Sequence, residues 1–185
     1  QGVIPVIPPL GFDGDGKTDV FATLQRNDGA YDWVISSAGL GQFSLLRSDP
    51  LPVDRLRFGD FNGDGKTDIF SVSERIDGLW QWRVSYAGAT DWQLLAYAIA
   101  PLEDLRFNDF DGDGKLDIVA ANQTTNNISV LRNTGAGAFA GAVNFAMNTG
   151  SSSVAVPDLN GDARPDVVTN SIGTNNITVR LSTCQ

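Results

Sequence analysis

Four acidic loops of one sequence type, evenly spaced, constrain this chain more than any other feature. They read GFDGDGKTD from Gly11, DFNGDGKTD from Asp60, DFDGDGKLD from Asp109 and DLNGDARPD from Asp158. Each loop begins 49 residues after the one before it, without insertion or deletion. Self-similarity at a fixed period of about 20 to 50 residues is the signature of a repeat architecture. The chain is therefore expected to contain four copies of one structural unit.

The match between the repeats extends beyond the loops. Segments 11–59 and 60–108 share 21 identical residues over 49 aligned positions. A Thr-Asn-Asn-Ile stretch at 125–128 recurs at 174–177 with the same offset. Because the spacing is constant throughout, all repeats are expected to belong to one domain. The predicted divisions are an extended N-terminal arm (1–10), repeat 1 (11–59), repeat 2 (60–108), repeat 3 (109–157) and a partial repeat 4 (158–185).

Repeat 2 shows a coarse pattern of four short strands. Apolar and aromatic runs cover Leu56 to Phe61, Asp68 to Glu74, Trp80 to Tyr86 and Trp92 to Ala98. Four antiparallel strands in about 40 to 50 residues make the blade of a β-propeller. The predicted fold is all-β, a β-propeller-like array of about four four-stranded antiparallel blades. The last blade is expected to be incomplete and open to completion by a donated strand.

The loops have the residue pattern of a calcium site. Side-chain oxygens recur at alternate positions around glycines, and such oxygens converge on one point in a tight turn. The backbone carbonyl of the seventh residue is a further candidate ligand. The predicted ligands are Asp13, Asp15, Lys17 and Asp19; Asp60, Asn62, Asp64, Lys66 and Asp68; Asp109, Asp111, Asp113, Lys115 and Asp117; and Asp158, Asn160, Asp162, Arg164 and Asp166, with each Lys or Arg contributing its carbonyl oxygen.

The rest of the composition favours calcium over other metals. The chain has no His, and its one cysteine is Cys184, so zinc and copper lack their usual ligands. A flexible cage of several carboxylates suits calcium better than magnesium. We expect three to four calcium ions. The first loop, which has Gly11 where the others have Asp, is expected to bind calcium most weakly.

The pattern D-[FL]-[ND]-G-D-G-x-x-D on a four-strand repeat closely resembles the FG-GAP and VCBS repeats of integrin α-subunit propellers and many bacterial secreted proteins. The resemblance covers nearly the whole chain. It implies β-propeller blades with calcium on the loop between the first and second strands. It also implies secretion or display at the cell surface, with roles in adhesion, carbohydrate binding or assembly. Propellers of this family usually contain more blades than the four expected here.

Several function classes are disfavoured by composition. A net charge of -9 makes a nucleic-acid partner improbable, because binding to phosphate backbones needs clustered Lys and Arg. No apolar run reaches the roughly 20 residues needed to span a membrane, so no membrane insertion is expected. Without His there is no Ser-His or Cys-His pair, and no nucleophile motif appears. We therefore expect no catalytic residues and no enzymatic activity.

The N-terminal arm suggests a route to assembly. It is apolar and extended, and its prolines suit an edge strand or a donated strand rather than a central one. Three uses are open: closing a ring within the chain, inserting into the open blade of another copy to build a ring or filament, or fraying as part of a fragment. The candidate assembly residues are Val3, Ile4, Val6 and Ile7.

The preferred functional hypothesis is an extracellular, calcium-stabilised structural or adhesion subunit that assembles with copies of itself through strand complementation. The alternative is a lectin-like module that binds glycans, and a polysaccharide-active enzyme is the less favoured third reading. The Trp and Tyr residues of the first two repeats suit either a core or a sugar-stacking surface. Three Asn-x-Ser/Thr sequons, at Asn122, Asn127 and Asn176, are candidate glycosylation sites.

Overall fold

Short runs that are mostly rich in β-branched, aromatic or aliphatic residues form the strands of the computed structural model, which describes residues 11–147, 151–171 and 175–182. Turns rich in Gly, Asp and Asn separate them. The strands of repeats 1 and 2 are β1 (Val20–Gln25), β2 (Tyr31–Ser36), β3 (Ser44–Asp49), β4 (Leu56–Gly59), β5 (Asp68–Glu74), β6 (Trp80–Ser85) and β7 (Gln93–Ala98). Those of repeats 3 and 4 are β8 (Leu105–Asn108), β9 (Asp117–Asn122), β10 (Asn127–Leu131), β11 (Asn133–Gly135), β12 (Ala138–Phe139), β13 (Val143–Ala146), β14 (Ser151–Ala155), β15 (Val167–Ser171) and β16 (Asn176–Arg180).

Two of the sheets have four strands. Their orders are β4-β5-β6-β7 and β8-β9-β10-β13. Strand β4 pairs antiparallel with β5, and β8 with β9, β9 with β10 and β10 with β13 pair antiparallel as well. The all-β prediction and the four strands of repeat 2 are confirmed, with strand ends within two residues of those predicted. The first strand stops at Gly59 rather than Phe61 because the acidic loop begins at once.

Repeat 3 departs from the simple four-strand pattern. A short hairpin of β11 and β12 is inserted between its third and last strands and forms its own two-stranded sheet. Gly135 and Gly137 both have positive φ, at 87° and 74°, and Ala136 lies between them at 53°. This left-handed turn explains why a glycine-rich stretch was needed there. The sequence pattern did not predict the hairpin.

The first and last repeats each show a three-stranded sheet within the described residues. Their orders are β1-β2-β3 and β14-β15-β16. The arm 1–10, with the assembly candidates Val3, Ile4, Val6 and Ile7, lies outside the described residues. In repeat 4 the described sheet ends at β16. That the last blade is incomplete stays a prediction.

The chain divides into two compact units. The first comprises the chain up to Ser73 together with Gln81–Ala96, and the second comprises Glu74–Trp80 together with the chain from Tyr97 onward. Loops 1 (residues 11–19) and 2 (60–68) belong to the first unit. Loops 3 (109–117) and 4 (158–166) belong to the second. That all repeats form one domain stays a prediction.

Aromatic side chains dominate the core of the first unit. Phe12, Trp33, Leu56 and Ile69 are buried together. Phe21 packs against this group, with its ring centroid 5.6 Å from that of Phe12. Aromatic pairs at such separations add to the stability gained from burial. This packing fixes loop 1 against the first sheets, because Phe12 is itself a residue of loop 1.

Aliphatic side chains form the core of the second unit. Val119, Ala121, Ile128, Val154 and Val167 are buried in one cluster. Strand β9 is buried at five consecutive positions because it lies in the middle of its sheet and is covered on both faces. Its residues Ile118 to Ala121 are accordingly all apolar rather than alternating. In the described part of the chain, no helix has the length and apolar character needed to cross a membrane.

Candidate metal centres

Loops 2, 3 and 4 each connect the first and second strands of a sheet. Loop 2 joins β4 to β5, and the strand pair Gly59 and Asp68 closes its ends. Loop 3 joins β8 to β9 in the same register, closed by Asn108 and Asp117. A closed turn of this kind forces the intervening polar side chains toward a small volume. The predicted position of the loops between strands is therefore confirmed for the described strands.

The first aspartate of loops 2, 3 and 4 organises the loop backbone. Its carboxylate accepts hydrogen bonds from the amides of the fourth and sixth loop residues. The pairs are Asp60 with Gly63 and Gly65, Asp109 with Gly112 and Gly114, and Asp158 with Gly161 and Ala163, at N···O distances of 2.6–2.9 Å. These amides turn inward because both positions have positive φ, which strains the non-glycine Ala163 at 64°.

Loop 1 lacks this aspartate and has no space for it. A Cβ atom at Gly11 would lie 2.5 Å from the carbonyl oxygen of Lys17 and 2.9 Å from Oδ2 of Asp19. Both contacts are too short for a carbon atom. The Lys17 carbonyl and the Asp19 carboxylate therefore face the same point, which is consistent with the predicted use of the seventh residue's carbonyl as a ligand. The backbone of loop 1 has closed over the position that Asp occupies elsewhere.

The last aspartate of every loop clamps two segments together. One oxygen accepts the amide of the second loop residue, and the other accepts an amide that follows the second strand after the loop, which is β2, β6, β10 or β16. The donors are Phe12 and Ala38 for Asp19, Phe61 and Ala87 for Asp68, Phe110 and Asn133 for Asp117, and Leu159 and Ser182 for Asp166, at 2.7–2.9 Å. All four carboxylates are buried. Sequence reasoning assigned these residues as ligands only and missed the clamp.

The pKa values of these carboxylates differ between loops. Burial raises the pKa of Asp68 and that of Asp117 to about 6, although amide hydrogen bonds oppose the shift, and the neighbouring loop carboxylates add to it. In contrast, the pKa of Asp166 is lowered, mainly by the hydrogen bond from the Ser182 amide. The pKa of Asp13 is also lowered, mainly by the Ser37 hydroxyl. Loops 2 and 3 therefore contain a carboxylate whose charge is poorly compensated by the protein itself.

Two loops bring three carboxylates together. One oxygen from each of Asp13, Asp15 and Asp19 lies within 4.8 Å of the others, and the same holds for Asp109, Asp111 and Asp117. In loop 3, Oδ1 of Asp111 is buried and has no hydrogen-bond partner. A buried, unpaired carboxylate oxygen beside two further carboxylates is costly without a cation. The residues of loop 3 therefore fit a hard divalent cation such as calcium.

In loops 2 and 4 an asparagine takes the third position and bonds to the fifth. The amide nitrogen of Asn62 donates to Oδ2 of Asp64 at 3.1 Å, and that of Asn160 donates to Oδ2 of Asp162 at 3.0 Å. Each asparagine oxygen also accepts the amide of the same aspartate. These oxygens would coordinate a cation after a side-chain rotation. The seventh residues, Lys66 and Arg164, donate their amides to these same aspartates.

The sequons lie at strand ends in the described chain. Asn122 ends β9, Asn127 begins β10 and Asn176 begins β16. The amide nitrogen of Asn122 donates to Oδ1 of Asn127 and to the Ser129 hydroxyl, both at 2.7 Å. Asn176 is exposed. Use of any of the three as a glycosylation site stays a prediction.

Two of the four tryptophans lie in the core, and Trp80 and Trp92 are half-buried. Trp33 and Trp82 are buried. Trp92 is half-buried and donates from its indole nitrogen to Oδ2 of Asp49 at 2.8 Å. These placements favour packing over a sugar-stacking platform, since a stacking platform needs an open ring face.

Comparison with known proteins gives one family match. The model of the FG-GAP-like repeat matches residues 11–71 and 109–169, together more than half of the chain. Each matched segment begins at an acidic loop and ends in the next one or just beyond it. No curated protein matches the chain.

Among solved structures, one similar chain comes from the Photorhabdus luminescens Tc holotoxin pore with a mutated TccC3 component. The TM-score is 0.48 and the sequence identity is 19%. The match covers 97% of this chain and 9% of that one, so this chain spans only a small part of the length of its structural neighbour.

Proposed function

Since the chain belongs to the FG-GAP-like repeat family, we propose that it is a calcium-stabilised, non-enzymatic structural or adhesion module of the extracellular space or cell surface. In this proposal each repeat is one blade of a β-propeller-like array. The acidic loops hold the ions that keep each first and second strand together. The observation that carries the proposal is the convergence of the carboxylates of Asp109, Asp111 and Asp117 around a buried, unpaired oxygen.

Calcium would add charge compensation that the protein supplies only weakly, since the ion pair of Asp111 with Arg132 is 3.9 Å long. In loop 3 the carboxylates of Asp109, Asp111 and Asp117 are close enough to repel each other strongly. A bound cation would offset this repulsion. Because the cation binds the folded loop and not the unfolded chain, it would stabilise the fold. At a free calcium concentration of 100 times Kd, each site would stabilise the fold by about 2.7 kcal/mol. That gain corresponds to a rise in Tm of roughly 5–10 °C for a chain of this size.

A calorimetric titration tests the proposal directly. Protein stripped of divalent ions is titrated with calcium and, separately, with magnesium, and its thermal melt is recorded with and without calcium. We expect three to four calcium sites, a much weaker response to magnesium, and a marked rise in Tm. The variant Asp111→Asn should lose one site, whereas Asp91→Asn, an exposed residue outside the loops, should lose none. No heat of binding and an unchanged melt would refute the proposal.

Self-assembly is proposed to use the open edge of β16. In repeat 3 the corresponding strand β10 is paired on both sides, with β9 and β13. Within the described residues β16 is paired on one side only, with β15. Its Ile177 and Val179 are 72% and 50% exposed. An unpaired edge with exposed apolar residues is a template for strand addition.

Light scattering in calcium, at increasing protein concentration, tests assembly. The proposal expects growth in mass with concentration. A charge at the edge, in Val179→Lys, should abolish that growth, and so should removal of residues 1–9 if the arm donates the strand. The control Leu94→Lys places the same charge on another exposed strand position, in β7. A monodisperse monomer under all conditions would refute strand complementation without affecting the calcium proposal. Turnover on any polysaccharide substrate would refute the non-enzymatic assignment.

A further inference from the structure

Three arginines line one cavity in the second compact unit. The cavity has a volume of about 570 Å³, and its charged lining consists of Arg132, Arg164, Arg180 and Asp111. Small-molecule sites usually measure about 300–1,000 Å³ and combine an apolar wall with a few polar groups. The cavity has this composition, because most of its other lining residues are apolar, among them Phe110.

Several arginines elsewhere in the chain are held in ion pairs that these three lack or form only weakly. The guanidinium of Arg26 pairs with Asp28 and Asp32, and that of Arg75 pairs with Asp77. Within the described chain, the guanidinium groups of Arg164 and Arg180 have no hydrogen-bond or ion-pair partner, and Arg132 has one distant ion pair, 3.9 Å from Asp111. In a chain with 22 acidic and 13 basic residues, carboxylate partners are abundant. Arg83 also has a buried Nε without a partner, but it stacks on Trp92 outside this cavity. The site is therefore distinguished by three arginines that share one cavity.

The cavity holds Arg180 in a defined position. Its guanidinium carbon lies 4.0 Å from the centroid of the Phe145 ring. A guanidinium stacked on an aromatic face keeps the N–H groups at its edge free for a planar acceptor. Carboxylates match this fork with two parallel hydrogen bonds. The apolar wall beside it, which includes Val130 and Val143, offers a surface for the rest of a ligand.

We propose that this cavity binds a small organic carboxylate that has an apolar body. The carboxylate would pair with the guanidinium groups of Arg180 and Arg132, and the body would pack against the apolar wall. The net charge of -9 repels anions from most of the surface, so that a local cluster of positive charge is required for such a ligand. The cluster of three arginines supplies it.

Asp111 links the cavity to loop 3. It is the one acidic residue in the lining, and it belongs to the loop 3 carboxylate group with Asp109 and Asp117. A cation in loop 3 would neutralise it and make the cavity more positive. In this respect the inference rests on the proposed function. The binding test is therefore run in calcium, and calcium binding is measured separately on the same protein.

The test uses 2-naphthoate as the probe and 2-naphthalenemethanol as its uncharged analogue of similar shape. Binding is followed by the anisotropy of naphthyl fluorescence and by calorimetry. We expect saturable binding of 2-naphthoate at one site and at least tenfold weaker binding of the alcohol. Each of Arg180→Gln and Arg132→Gln should weaken 2-naphthoate binding about tenfold or more, because each removes hydrogen bonds to a charged group.

Two further variants test whether 2-naphthoate binding depends on the cavity itself or only on the number of positive charges. Arg75→Gln removes an arginine of the same unit that is already paired with Asp77, and it should leave binding unchanged. Val143→Trp keeps every charge but fills the cavity from the exposed edge of β13, and it should abolish binding. Circular dichroism and the thermal melt confirm that each variant is folded. Equal losses in Arg75→Gln and Arg180→Gln, or full binding in Val143→Trp, would overturn the assignment.

The ligand class is tested with an acidic sugar. Glucuronate carries a carboxylate on a polar ring, and we expect it to bind at least tenfold more weakly than 2-naphthoate. Tighter binding of glucuronate than of 2-naphthoate would overturn the assignment of an apolar body to the ligand. If calcium binds but 2-naphthoate does not, this inference fails and the proposed function stands. If 2-naphthoate binds but calcium does not, this inference stands and the proposed function fails.

Discussion

Loops 1 and 3 bring three carboxylates together from different positions of the same nine-residue sequence. Loop 1 uses its third, fifth and ninth residues, and loop 3 uses its first, third and ninth. The difference begins at the first residue. In loop 3, the carboxylate of Asp109 accepts hydrogen bonds from the amides of Gly112 and Gly114. In loop 1, Gly11 has no side-chain acceptor, and the Lys17 carbonyl oxygen lies 2.5 Å from where its Cβ atom would be.

The first residue of each loop determines whether the loop backbone is arranged for an ion before the ion binds. Where the first residue is Asp, the backbone is already wrapped around a carboxylate before any ion binds. Preorganisation of this kind reduces the entropy lost on binding. Loop 1 must instead complete its ligand set with water or another group. The expectation that loop 1 binds calcium most weakly thus gains a physical reason, and it stays a prediction.

The largest expected effect concerns the clamp that both loops share. Asp117→Ala leaves the amides of Phe110 and Asn133 without an acceptor, and it should lower the free energy of unfolding by about 3 kcal/mol or more. Asp19→Ala leaves the corresponding amides of loop 1 unpaired and should cost a similar amount in calcium-free protein. Urea denaturation measures both. The exposed Asp91→Ala serves as the control, with an expected change below about 0.5 kcal/mol. A small effect in both clamp variants would show that the clamp is not structural.

The second prediction converts loop 3 into loop 1 at its first position. Asp109→Gly removes one ligand and the acceptor for the loop amides. Calcium affinity at this loop should fall at least about tenfold, equivalent to about 1.4 kcal/mol. Calorimetry of the variant against the wild type measures the loss. An unchanged affinity would break the comparison, because the first residue would then not explain the difference between the loops.

The reverse substitution sharpens the same point. Gly11→Asp places a side chain against the Lys17 carbonyl, at a Cβ distance of 2.5 Å. We expect loss of stability in calcium-free protein rather than a gain in affinity, because the backbone of loop 1 must first move apart. The thermal melt without calcium checks this. A stable variant with a tightened first site would instead show that the loop 1 backbone adapts freely.

The sequence predicts the repeat and the strands well, because both depend on local pattern. The 49-residue spacing and the apolar runs placed the strands of repeat 2 to within two residues, and the carboxylates of loops 1 and 3 converge as the alternate spacing indicated. The clamp was not predictable, since its second amide comes from a residue 16 to 19 positions away, such as Asn133 for Asp117. The sequence also does not predict which side chains contact each other, such as Arg180 and the ring of Phe145.

The third prediction concerns pH. The pKa of Asp117 is raised above its ordinary 3.8 to about 6. The folded protein therefore binds a proton on this carboxylate more tightly than the unfolded chain does. Calcium-free protein should therefore gain stability from this group as the pH falls from 7 toward 4, and lose that gain as the pH rises through 6. Protons also compete with calcium, which should weaken binding at loop 3 roughly fourfold at pH 5.5 relative to pH 7.5.

Loop 1 should respond differently over the same range. The Ser37 hydroxyl lowers the pKa of Asp13, so this carboxylate stays charged at pH 5.5. Calcium titrations of Asp109→Gly and of the wild type at both pH values separate the two loops. Because Asp68 has the same raised pKa as Asp117, the weakened class should contain two sites, in loops 2 and 3. A uniform pH response across all sites would contradict the assignment of these pKa values.

The smallest expected effect concerns the fifth residue, which takes part in the carboxylate group of loop 1 but not in that of loop 3. In loop 3 the ammonium of Lys115 pairs with Oδ2 of Asp113. In loop 1 the equivalent pair, between Lys17 and Asp15, is longer at 3.5 Å and more exposed. Lys115→Gln should release Asp113 toward the ion and raise calcium affinity about threefold, the scale of a surface ion pair. Lys17→Gln should change it less. Calorimetry at low ionic strength resolves such differences, and a loss of affinity in Lys115→Gln would show that the lysine positions Asp113 rather than competing for it.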